Sequence, residues 1–308
     1  MRSSLKNGRY HITHTLGGDA YMCQGRDLKD SHNEVAIKSI PQSGRTLSAD
    51  FEREAQHLMR LRHAGLCGLK DYFVEDGWLY LVMEYIHGET LGYRLKPPFP
   101  LMQVLAWADR WLDVLDYLHQ EGITHGSIRP HKIALTPEGQ IILLGLANSR
   151  LSPYAFGDGY DGLRYFGVYT LPEQLENKPI DERSDLYMLG ATLYELLTAQ
   201  RPANAVERYK HMEQGFSDLL LPANEVNPQV PPDVAQVLQQ VLAFDPSQRP
   251  NSVAQMRAML KIQPTPLVAQ PVRPVPSEAD NKRMWLWAIA VLLLVGVLVA
   301  ALIIGVDP

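Results

Sequence analysis

His125-Gly126-Ser127-Ile128-Arg129-Pro130-His131-Lys132 is the stretch on which the reading of this chain turns. It follows a strongly apolar segment, residues 101–121, that ends in Tyr117-Leu118-His119 with Gly122 behind it, the pattern of a core helix with a glycine cap. It precedes the apolar run Ile141-Ile142-Leu143-Leu144, which reads as a buried strand and stops at Gly145. Taken alone, the stretch fits a polar turn between a helix and a strand. The order of the motifs around it decides between a turn and a site.

Upstream, residues 10–40 are short apolar runs broken by turn residues, as in an antiparallel sheet, and they end in Val35-Ala36-Ile37-Lys38. Before that run lies the turn-like Leu16-Gly17-Gly18-Asp19-Ala20-Tyr21-Met22. Residues 51–61 have helical spacing, with Phe51, Ala55, Leu58 and Leu61 on one face and Glu54 among the polar positions. Leu79-Tyr80-Leu81-Val82-Met83-Glu84-Tyr85 reads as a buried strand, followed by Gly88-Glu89-Thr90-Leu91. By itself a lysine at a strand end, or a glutamate on a helix, is an ordinary solvated charge.

In this order the motifs resemble those of the protein kinase family. The resemblance implies that Lys38 faces the nucleotide phosphates and pairs with Glu54. It implies further that Gly17 opens a glycine-rich loop, about two residues short of the family pattern, and that Ala36 lines the adenine site. Met83 is then the gatekeeper, and the backbone from Glu84 to Ile86 is the edge that would meet an adenine. The opening stretch is similar to the family's His-Arg-Asp-Leu-x-x-x-Asn loop, whose Asp accepts the substrate proton and whose Asn holds magnesium. Ser127 and Lys132 stand at those two positions. Gly145-Leu146-Ala147 stands where the family has Asp-Phe-Gly, so Gly145 replaces the magnesium-binding acid. Gly126 replaces the arginine that often receives an activating phosphate. Structural positions persist: Glu173 in Leu171-Pro172-Glu173, Asp185 as the brace of the loop, and Arg249 as the partner of Glu173. The fold implied over residues 10–261 is α+β and bilobal, a small β-rich lobe and a helical lobe, with membrane-anchored bacterial serine/threonine kinases as the nearest subgroup.

The 308 residues are 46% hydrophobic and 20% charged, and the net charge of -5 gives no basic footprint, which excludes a nucleic-acid partner. Cys23 and Cys67 have no metal or disulfide spacing, as suits a reducing compartment. The first residues lack the apolar core of a signal peptide. Residues 1–9 are expected as a tail and residues 262–283 as a proline-rich linker, of which residues 263–281 would reach ~60 Å if extended. Residues 284–306 carry no charge, and as a helix they would span ~34 Å, enough for a bilayer core of ~30 Å. Lys282 and Arg283 before them, and Trp285 and Trp287 at the entry, predict a single-pass anchor in the plasma (inner) membrane. The kinase-like domain is then cytoplasmic and residues 307–308 lie outside. Gly296 with Ala300, and Ala301 with Gly305, have the small-residue spacing through which such helices form homodimers.

With Ser127, Lys132 and Gly145 at the chemical positions, the resemblance implies a pseudokinase: a membrane-tethered scaffold or allosteric partner, for example of an active kinase. ATP would be held by Lys38 and Lys132 with magnesium disfavoured, since the site loses oxygen ligands and gains a cation. The alternatives are a weakly active or atypical serine/threonine kinase that uses a displaced acid such as Asp158 or Asp161, and a docking module without nucleotide.

Overall fold

A computed structural model describes residues 3–16, 19–30, 33–41, 47–94, 98–151, 169–175 and 178–262, all within the unit Met1–Ala269. The span 284–306 expected to cross a membrane, and nearly all of the linker, lie outside the described residues. Among the described residues no helix is long and apolar enough to cross a bilayer.

The amino-terminal lobe is a six-stranded sheet built from β1 (Ser4–Leu5), β2 (Tyr10–Leu16), β3 (Asp19–Asp27), β4 (Asn33–Pro41), β5 (Leu69–Glu75) and β6 (Trp78–Glu84), in the order β1-β2-β3-β4-β6-β5 with antiparallel pairing. Helix α1 (Ala49–Leu58) packs on it, capped by the Ser48 side chain, which accepts from the Phe51 N–H. The period of two divides the strands between two cores. Val35, Ile37 and Val82 face Leu5 and Tyr10 in a small outer cluster, while Leu79, Leu81 and Met83 face α1 in the main core. Because Ala36 pairs with Met83 and Lys38 with Leu81, both candidate residues of β4 look toward that main core.

Part of the stretch expected as a tail is built into the sheet. Leu5 is buried on β1, and the turn after it closes on the opposite edge, where Lys6 Nζ and the Tyr10 hydroxyl each donate to Asp71 at 2.6 Å. This contact ties the turn to the Asp71 side chain on edge strand β5. A two-residue strand has no periodic signal, which is why the sequence did not announce it.

The second lobe holds β7 (Glu89–Thr90), α2 (Leu91–Arg94), α3 (Leu101–Gln120), β8 (Ile133–Leu135), β9 (Ile141–Leu143), α4 (Leu146–Leu151), α5 (Pro172–Leu175), α6 (Glu182–Thr198), α7 (Ala205–Glu213), α8 (Ala223–Val226), α9 (Pro232–Val241) and α10 (Val253–Met259). Every residue of α6 from Ser184 to Thr198 is buried, as for a helix packed on all sides. Helix α9 comes so close to α6 that a Cβ on Gly190 would sit 2.5 Å from Val241 Cγ1. The short sheet has the order β7-β8-β9, and the stretch 125–132 connects the carboxyl end of α3 to β8. The two expected lobes, one β-rich and one helical, are therefore present.

Candidate active site

The loop 125–132 is held by one carboxylate. Asp185, fully buried in the first turn of α6, accepts from the backbone N–H of His125 and of Gly126, both at 2.8 Å, and pairs with His119 Nε2 at 2.9 Å. Helix α6 starts where it does because Asp181 and Ser184 form a capping box. Gly126 takes a φ of +71°, and a Cβ there would meet Ile180 Cδ1 at 3.1 Å, so the glycine at the family's arginine position suits this turn. His125 is wholly buried. Burial, aided by the nearby charges of Lys132 and His119 and opposed by Asp185, lowers its pKa to about 4, so the imidazole is neutral near pH 7. The half-buried Ser127 donates its backbone N–H to His125 Nδ1 at 3.2 Å.

The end of the loop brings two replaced positions into contact. Pro130–Lys132 form a 3-10 turn, and the Leu144 N–H donates to the Lys132 carbonyl at 2.8 Å, which lays Lys132 beside the end of β9. Gly145 follows with a φ of +97°, and a Cβ built on it would lie 3.2 Å from Lys132 Cδ and 3.5 Å from its Cε. The aliphatic stem of Lys132 thus crosses the space into which a side chain at position 145 would start.

On the opposite wall, Lys38 is only 4% exposed, and its Nζ lies 6.0 Å from the centroid of the Tyr21 ring. Ala36 and Met83 are cross-strand neighbours beside it. Gly17 lies outside the described residues. The pairing of Leu16 with Asp19 leaves only residues 17 and 18 between β2 and β3, in keeping with a shortened loop. The hinge is fastened at Glu84, whose N–H donates to the Gly68 carbonyl at 3.0 Å and whose carboxylate accepts from the Gly68 N–H at 3.2 Å. The Glu84 carbonyl, expected at the adenine edge, accepts from the Cys67 thiol at 3.4 Å. Burial, with the Glu84 charge adding to it, pushes that thiol up to about 12, so it stays a protonated donor. Ile86, two residues on, is half-buried.

One expected pair is not formed. Glu54 is engaged by Arg150 Nε at 2.6 Å, instead of by Lys38. Leu146 and Leu151 of α4 are buried in the main core, α4 packs on α1, and the guanidinium between them is carried to the Glu54 carboxylate. Arg150 is separated from Glu54 by 96 positions, and the sequence around it carries no motif that predicts the contact. The other expected brace is present: Arg249 makes a bidentate pair with Glu173 at 2.8 and 2.9 Å, wholly buried, and Ser184 Oγ donates to the same carboxylate at 2.7 Å. Three recognised elements are therefore present, each with its own brace: the loop on Asp185, the segment end on Arg249, and Lys38 buried within its sheet. Among the described residues, no group of three or more His, Cys, Asp or Glu side chains is placed to hold a metal.

Comparison with known proteins agrees with this geometry. The protein kinase domain pattern matches residues 10–261. The serine/threonine-protein kinase PrkC of Bacillus subtilis is 29% identical over 270 residues, which cover 83% of this chain and 40% of that protein. The serine/threonine-protein kinase PknB of Mycolicibacterium smegmatis is 28% identical over 275 residues, covering 82% of this chain and 42% of its own length. The chain thus spans about two fifths of the length of these relatives. Among solved structures, the PknI kinase domain of Mycobacterium tuberculosis superposes with a TM-score of 0.64 at 22% identity, over 85% of this chain and 98% of that one, a likeness of fold.

Proposed function

The chain belongs to the protein kinase family, and on that premise we propose that it is a membrane-tethered pseudokinase, a scaffold or allosteric partner whose cleft takes ATP without a divalent metal. The observation that carries this reading is the Lys132 stem lying across Gly145. Kinases ordinarily use ATP with magnesium, held there by an amide and a carboxylate. At these two positions the chain has an ammonium and a hydrogen atom. The residues do not fit a hard cation that requires oxygen donors. Lys38 and Lys132 can serve the triphosphate as point charges, since lysine binds phosphate without bidentate geometry. The engagement of Glu54 by Arg150 supports the same reading, because the lysine and glutamate pair used in phosphotransfer is not assembled.

The anchor is proposed from the uncharged run 284–306 and its Lys282-Arg283 flank, and the same flank supports a cytoplasmic kinase domain. The partner is proposed to be a protein, such as an active kinase, with self-association through the membrane helix.

The test is twofold. Incubation with labelled ATP in magnesium or manganese should give no transfer to protein above a Lys38→Ala control; robust transfer would refute the inactive reading. Calorimetry with ATP in excess EDTA should show binding that Lys132→Ala weakens. A strict requirement for magnesium would refute the metal-free cleft.

A further inference from the structure

A groove of about 450 Å³ lies beside the hinge, with Glu34 of β4, Lys70 of β5 and the hinge residues Glu84, Tyr85 and His87 in its walls. Lys38, Ala36 and Met83 are not part of its lining, whereas Glu84 and Ile86 of the hinge are, so it borders the nucleotide site along the hinge. We propose that this groove receives an arginine side chain from a protein partner.

The walls select that chemistry. The Glu34 carboxylate is fixed from two sides, by the buried Gln24, which donates through Nε2 at 2.8 Å, and by His87 Nε2 at 2.8 Å. The second carboxylate, Glu84, is fixed by the Gly68 N–H. Each carboxylate has lone pairs beyond these contacts, because a carboxylate offers about four acceptor sites. The cation of the lining, Lys70, is directed at Asp30, 3.8 Å away. The groove therefore presents oriented negative charge.

Tyr85 and His87 add an aromatic corner, with ring centroids 4.9 Å apart and planes at 86°. A guanidinium uses both features, a flat fork for a carboxylate and a flat face for an aromatic ring. A lysine ammonium would use the charge but not the plane. A phosphate or a second carboxylate would be repelled, and an apolar segment would leave Glu34 and Glu84 desolvated. The volume is in the range that holds a side chain with a short piece of its backbone.

The segment involved is also the hinge whose backbone is expected at the adenine edge, so an arginine seated here touches residues Glu84 to Ile86 of that edge. The inference does not depend on whether the cleft transfers phosphate, and it needs no part of the pseudokinase reading.

The test uses the full chain in detergent and three fluorescent tetrapeptides, Gly-Arg-Arg-Gly, Gly-Lys-Lys-Gly and Gly-citrulline-citrulline-Gly, followed by anisotropy. The expected order of affinity is arginine, then lysine, with no binding of citrulline. Glu34→Gln should weaken the arginine peptide about tenfold, the size of one lost charge-assisted hydrogen bond, and Lys70→Ala should not weaken it. Circular dichroism melts confirm that each variant is folded, and Glu34→Asp provides a second variant that retains charge and should retain part of the affinity. No binding of the arginine peptide at millimolar concentration would overturn the proposal. So would equal binding of arginine and citrulline, equal binding of arginine and lysine, or a Glu34→Gln affinity equal to that of the unmodified chain.

Discussion

Replacing Gly145 by alanine measures the interlock between Gly145 and Lys132, the two positions proposed above to have lost the metal ligands. The backbone there has a φ of +97°, which an L-residue pays for at roughly 1–2 kcal/mol. The new methyl would also start 3.2 Å from Lys132 Cδ, so the stem must shift by a few tenths of an ångström, at about 0.5–1.5 kcal/mol where that twists a torsion off its rotamer. Against these, loss of glycine freedom in the unfolded chain returns about 0.4–1 kcal/mol. The net expectation is a destabilisation of about 0.5–3 kcal/mol, or a fall in Tm of about 1–12 °C for a domain of this size. The cost should divide on removal of the stem. In a Lys132→Ala background the steric share disappears and only the backbone share remains, so a double-mutant cycle by urea denaturation should give a coupling of about 0.5–1.5 kcal/mol. An additive cycle, or a neutral Gly145→Ala, would refute the claim that Lys132 packs on Gly145. The same arithmetic bears on restoring the family's acid. Gly145→Asp pays less backbone strain, since a short polar side chain tolerates left-handed backbone, but it still meets the stem unless Lys132 is replaced as well.

Three further outcomes are expected. Arg249→Ala leaves the buried Glu173 carboxylate without its guanidinium and should cost about 3–5 kcal/mol in equilibrium unfolding. A cost below about 1 kcal/mol would mean that the pair holds nothing in place. His125 binds its proton more weakly in the folded chain, at a pKa of about 4 against an ordinary value of 6.5, so the unfolded state takes up more protons between these values. Stability is then full above pH 6.5 and falls by about 3 kcal/mol as the pH drops toward 4. His125→Asn should remove that part of the acid dependence, and an unchanged profile would contradict the assignment. Arg150→Ala breaks a partly exposed pair and should change stability by less than about 1 kcal/mol. Hydrogen exchange in α1 and α4 should nevertheless rise, and unchanged protection would show that the bridge does not hold the two helices together.

The order of motifs along the chain was sufficient for the family and the two lobes, because each motif is a local pattern: alternation in β4, an apolar helix before the loop, a strand ending at Gly145. The brace residues Asp185, Glu173 and Arg249 were also legible, since their roles follow from position within those motifs. What only the tertiary structure decided are contacts between distant segments. The sequence offered Glu54 only Lys38, and packing of α4 on α1 gave it Arg150, since which cation reaches a carboxylate depends on helix placement. Leu5 joined the sheet because the turn after β1 meets Asp71 and Glu75 across the lobe, through side chains separated by up to 69 positions. The stem of Lys132 over Gly145 and the groove at Glu34 likewise arise where separate elements meet. Periodicity and spacing report which face of an element a residue occupies, whereas the partner on that face is set by how the elements pack.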